Sequence, residues 1–147
     1  MPRNPSSTTH RGWAWDNDDS RLEVIVNGVE IGGFDSNGFS ISGRGTVIQQ
    51  NDKTTGVTLN NRAGAITMNG AALANAVEVV FTVTNSTVGA NDVIIVNHAS
   101  VGTSDDDYLV ARGEVSAGQF GIVVANVSAG SLSEAIVLNF VVIKVAA

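Results

Sequence analysis

An all-β fold, an antiparallel sandwich of short strands, is what this sequence predicts, and three observations predict it. Val, Ile and Thr number 22, 10 and 11, against 6 Leu and 2 Lys. β-branched side chains favour strands, whereas a helical bundle wants Leu, Glu and Lys. Sixteen Gly and 14 Asn supply tight turns in abundance. Apolar runs then recur every ~8–12 residues, the spacing of a sandwich or barrel and not of βαβ units.

Three zones separate along the 147 residues. Residues 1–20 hold both prolines, both tryptophans and no Val, Ile or Leu. With no apolar periodicity the segment cannot bury itself, so an extended arm is expected whose order comes from another chain. Arg3 and Arg11 give it a small positive patch, and Trp13 and Trp15, at alternate positions, project to one side of an extended chain. Indoles are preferred interface anchors, so these four residues are the candidate contacts to a partner. The alternative is that the indoles staple the arm to its own domain.

Residues 21–45 read as a small β element. Glu23-Val24-Ile25-Val26 and Val29-Glu30-Ile31 flank Asn27-Gly28, a strong hairpin signal because a type I′ turn needs positive φ at both central positions. A second turn at 35–38 precedes Phe39-Ser40-Ile41-Ser42, which alternates at period two.

From residue 46 to 147 the spacing predicts a single domain of eight strands, at 46–49, 57–59, 65–68, 77–84, 92–98, 107–115, 119–126 and 136–145. Eight strands in about a hundred residues suit a jelly roll. Segments 70–76 and 129–135 have room for a helical turn each. In 77–84 one face is apolar and the other mostly polar, as a half-wet antiparallel strand should be. The last strand differs: Leu138, Phe140 and Val142 line one face, yet Val137, Val141 and Ile143 line the other. Residues 93–96 and 122–125 repeat the pattern. With no helices to cover a second apolar face, subunit association is the economical answer, and Val137, Val141, Ile143, Ile94 and Val96 are the candidate interface. A thick sandwich core is the alternative.

The chemistry is mostly exclusion. Charged residues are sparse and the net charge is −6, so no global basic field invites nucleic acid. Without cysteine, disulfides and thiolate sites are ruled out. No apolar leader stretch and no run near ~20 apolar residues occurs, so a protein without a secretory route or membrane span is expected. Asp16-Asn17-Asp18-Asp19 resembles a calcium loop only briefly: Arg21 stands where the sharp-turn Gly belongs and Asn27 where the bidentate Glu belongs. That cluster and Asp105-Asp106-Asp107 read as solvated turns. His98 closes an apolar strand, no strained Ser elbow occurs, and Gly43-Arg44-Gly45 opens a strand instead of a helix. Asn85-Ser86-Thr87 matches a glycosylation acceptor that a cytoplasmic product never uses. No enzyme, no cofactor and no metal is expected.

Five stretches carry a resemblance: Thr46-Val47-Ile48-Gln49-Gln50, Thr55-Gly56-Val57-Thr58-Leu59-Asn60, Gly64-Ala65-Ile66-Thr67-Met68-Asn69, Val93-Ile94-Ile95-Val96-Asn97-His98 and Ser128-Ala129-Gly130-Ser131-Leu132-Ser133-Glu134-Ala135. With the closing Leu138-Asn139-Phe140-Val141-Val142-Ile143-Lys144, they make residues 46–147 similar to a module of tailed-bacteriophage virion proteins. The resemblance implies a homotrimeric, tumour-necrosis-factor-like jelly roll made in the host cytoplasm and mounted on the virion. The expected function is capsid decoration: a cement protein on the outer capsid surface that binds the major capsid protein through its arm and stabilises the head. A head-fibre or tail-fibre tip that binds a host surface receptor is the alternative. A fibre wants a long repetitive shaft, which this chain lacks, and a glycan site wants aromatic loop residues, of which Tyr108 is the one candidate.

Overall fold

The computed structural model describes residues 12–18, 20–100 and 107–145. Arg3, Arg11, Asp19, Asp105 and Asp106 lie outside them. The chain divides between Gly43 and Arg44 into two compact units, close to the boundary expected at residue 45.

The first unit is one antiparallel sheet of four strands in sequential order, β1 (Gly12–Asp16), β2 (Arg21–Val26), β3 (Val29–Asp35) and β4 (Gly38–Ile41). Asn27 and Gly28 turn the β2–β3 hairpin with φ of 52° and 77°, the positive pair that a type I′ turn demands. The expectation of an extended arm through residue 20 needs correcting at its end. Gly12–Asp16 is a strand, paired with β2 from Gly12↔Ile25 to Asp16↔Arg21. Backbone pairing orders this segment where its own side chains cannot. The Asp16 carboxylate accepts the Asp18 N–H at 2.9 Å, so the acidic cluster begins the β1–β2 turn.

The second unit holds eight strands in two four-stranded sheets. One runs β10 (Tyr108–Ser116), β11 (Gln119–Asn126), β8 (Glu78–Thr84), β6 (Val57–Thr58). The other runs β5 (Gly45–Ile48), β7 (Ala63–Thr67), β12 (Val137–Ile143), β9 (Val93–Ser100). Each lies within two residues of its expected position. The sheets are mixed and not wholly antiparallel as expected: β5 pairs with β7, and β6 with β8, in parallel. The segments at 70–76 and 129–135 form no helix; Leu73 and Leu132 join them by a β-bridge.

Both sheets contribute to one core. Phe81, Val83, Phe120, Ile122 and Val124 from one meet Ile66, Ile94, Leu138, Phe140 and Val142 from the other. Phe120 and Phe140 stand edge to face at 5.2 Å between centroids, a favoured aromatic geometry. Gly64 makes room for that ring: a Cβ there would stand 2.6 Å from both Phe140 Cε1 and Leu59 Cδ2.

Candidate functional site

The first unit sorts its side chains by face. Register places Trp15, Leu22, Phe34 and Phe39 in one row across the four strands, and Trp13, Val24, Gly32 and Ile41 in the next. Gly32 has no side chain to fill the middle of its row. There Trp13 stacks on Phe34 at 6.3 Å, and Phe34 lies 5.2 Å from Phe39. No charged residue belongs to these rows, yet Trp13 is 63% exposed and Phe39 62%. The charged residues of the four strands take the opposite face, where Arg21 pairs with Glu30 and, at 3.9 Å, with Glu23. Glu23 is only 1% exposed. Glu23 is thus buried and Arg21 and Glu30 half-buried while the aromatic side chains face solvent, the reverse of ordinary amphipathicity.

The second unit carries a comparable face. On β12, Leu138, Phe140 and Val142 point into the core, so Val137, Asn139, Val141 and Ile143 point out. Val141 lies beside Ile95 and Ala63, Ile143 beside Val93, and Ile48 flanks Thr67 at the far edge. Ile48 is 62% exposed, and Val93, Ile95 and Ile143 about half. No strand position on this face is charged. The outward face of the other sheet is more polar, with Glu78, Thr82, Thr84 and Gln119 among Val80, Val123 and Leu109.

Two expected interface residues are corrected. Ile94 is buried in the core and Val96 packs against it. On β9 the outward positions are Val93 and Ile95, because β9 pairs Ile94 with Val142 and Val96 with Phe140. Alternation allows either parity for a doubly apolar strand, and only the cross-strand partner decides it.

Other polar groups hold structure together. Lys53 is buried, and its ammonium donates to the carbonyls of Asn69 and Glu134 at 2.7 Å each. The Gln49 amide donates to Lys53 O and Thr55 O and accepts the Asn69 N–H. Tyr108, taken from sequence as a loop aromatic, lies in β10 at 4% exposure and donates its hydroxyl to Glu134 Oε2 at 2.9 Å. Burial, together with that carboxylate, pushes its pKa up, and burial pulls that of Lys53 down. His98 sits within β9 opposite Leu138, its Nε2 buried and without a hydrogen-bond partner. Asn85 is fully buried and donates to Asn61 O at 2.8 Å, which removes its amide from any glycosylation.

A cleft of about 370 Å³ at the rim of β9 and β10 is lined by Asp92, Ile94, Arg112 and Glu114 among others. Of its two acidic members, Asp92 is already engaged. Lys144 donates to Asp92, as do the Gly89 and Val145 amides, and these bonds hold the carboxyl below its usual range. No cluster of three metal-ligating side chains occurs among the described residues.

Against known proteins, no family model matches the chain, and neither a curated protein nor a solved structure does. The outward Val and Ile of β12 were legible as a second apolar set. Phe34 and Phe39 were missed, although Phe34-x4-Phe39 across a two-residue turn is the signal that pairs them.

Proposed function

We propose that this chain is a structural virion protein that decorates the outer capsid surface as a homotrimer, built on a tumour-necrosis-factor-like jelly roll. One observation carries the reading: each of the two units turns to solvent a largely apolar sheet face with no charged strand position. Monomeric proteins rarely leave patches of this size uncovered. Two such faces on two separate units suit two different partners, and a decoration protein has two, its own copies and the shell. The face of the β5–β7–β12–β9 sheet serves self-association through Val137, Val141 and Ile143, with Val93 and Ile95 beside them. The first unit serves attachment to the major capsid protein, through Trp13 and Trp15 on its aromatic face and through Arg3 and Arg11 in the preceding segment. The resemblance of residues 46–147 to tailed-phage virion modules agrees with this division.

Sedimentation of the full chain, followed by its binding to purified undecorated shells, tests the proposal. A stable trimer that co-sediments with shells is expected. A folded monomer at micromolar concentration overturns the trimer, and a trimer indifferent to shells overturns the decoration role. A trimer that binds host cells instead makes it a fibre tip.

A further inference from the structure

The apolar face of the β5–β7–β12–β9 sheet is interrupted along one line. Thr46, Ala65, Asn139 and Asn97 are successive register partners across all four strands. Isoleucine and valine lie on both sides of that line: Ile48 and Val137 toward one end of the strands, Val141 and Ile95 toward the other. Arg44, just ahead of β5, donates from Nη2 to Asn139 Oδ1 at 3.1 Å. Asn97 donates from Nδ2 to His98 O at 3.0 Å. Among the described residues this leaves the Asn139 amide NH2 and the Asn97 carbonyl oxygen without partners, a donor and an acceptor side by side.

We propose that this polar line sets the register of self-association: a second copy of this chain covers the face and meets Asn97, Asn139 and Arg44 in one alignment only. The inference rests on the reading of this face as the self-association surface. A copy of the chain suits it for two reasons. The free groups of the two asparagines are an amide donor and an amide acceptor, each of which the other can meet on a neighbouring copy, and the charge on the line, the Arg44 guanidinium, already donates to Asn139. The area also suffices. Four strands about 4.8 Å apart, of 4, 5, 7 and 8 residues, cover roughly 400 Å² in plane, and their side-chain surface is larger. Two copies then approach the ~1,000 Å² that a specific interface needs.

The physical argument is one of penalties. Valine and isoleucine attract non-directionally, so an apolar face alone tolerates many slipped or rotated packings. An amide buried among them without a hydrogen bond is costly. Any alignment that strands Asn97, Asn139 or the Arg44 guanidinium is rejected, and one that pairs them survives. A single polar side chain in an apolar seam fixes partner number in coiled coils in this way, at some loss of affinity.

The test is native mass spectrometry and sedimentation velocity on the full chain and three variants, with circular dichroism confirming the fold. The wild type is expected as one oligomeric species. Asn139→Val and Asn97→Val are expected to spread over two or more species while associating no more weakly. Thr67→Val, which likewise exchanges a polar group for a methyl on the same face but off the line, is expected to keep the wild-type state, separating register from mere hydrophobicity. Asn97 lies on edge strand β9, so its variant keeps the test open should Asn139→Val misfold. Retention of the single wild-type species by both Asn variants overturns the inference and leaves the self-association reading standing, as does simple dissociation of both. A monomeric wild type overturns the self-association reading itself.

Discussion

Lys53 is buried, yet its ammonium donates to the carbonyls of Asn69 and Glu134, with the Tyr108 ring 5.7 Å away. Shortening it strands two carbonyls, so Lys53→Met is expected to cost about 1–3 kcal/mol for each acceptor left unsatisfied. Thermal unfolding measures this loss. Tyr108 gives a pH prediction with a definite sign. Its folded pKa is raised above 10.0, so the folded state holds the phenolic proton more tightly than the unfolded state. Stability from this group is intact below about pH 10 and falls as the pH climbs beyond it. The chain has one tyrosine, so phenolate absorbance reports Tyr108 alone. The signal is expected to stay silent near pH 10 and to rise only as the protein unfolds, and Tyr108→Phe should flatten the alkaline loss. A midpoint near 10 in the folded protein contradicts the buried Tyr108–Glu134 bond.

Among the elements, the β2–β3 hairpin depends on Gly28. Its φ of 77° lies where β-branched residues are strained. Gly28→Val is expected to cost about 1–3 kcal/mol, confined to the first unit. Thermal unfolding should show an early loss while the Arg44–Ala147 unit melts as in the wild type. Full shell binding with unchanged melting would count against the turn's role in attachment. Strand β12 is decided by its two faces. Val141 points outward beside Ile95 and Ala63, so Val141→Asp leaves the core of its own unit untouched. In an oligomer it buries an unpaired carboxylate, a penalty of several kcal/mol. Sedimentation should then show a folded monomer, and an unchanged oligomer places the interface elsewhere.

For the whole molecule, the proposed role separates assembly from attachment. Replacing Trp13 and Trp15 together by Ala removes two half-exposed indoles and no core residue. Each buried aromatic anchor is worth roughly 1.5–3 kcal/mol. In the proposed trimer three copies would multiply a modest single-site affinity through effective concentration, so the loss on a shell should be large. The doubly substituted protein is expected to remain an oligomer and to fail to co-sediment with undecorated shells. Undiminished decoration would move the anchor away from the aromatic face.

The features legible along the chain are local ones. The Asn27-Gly28 turn was legible because its conformation admits few residues, and all eight strands of the second unit because β-branched runs and turn residues alternate along the chain. The outward set of β12 was legible for the same reason: Val137, Val141 and Ile143 share a parity that Leu138, Phe140 and Val142 do not. The tertiary structure decided whatever depends on a partner strand. Gly12–Asp16 reads as an arm, since residues 1–20 hold no Val, Ile or Leu to bury, and it becomes a strand because β2 offers an open edge. Ile94 and Ile95 are equivalent in sequence, and pairing of β9 with β12 sends one into the core and the other to the surface. The parallel β5–β7 and β6–β8 pairs, and the line of Thr46, Asn139 and Asn97, join residues far apart in the chain. Side-chain periodicity specifies two faces of a strand, but it does not say which neighbour arrives or which face that neighbour will cover.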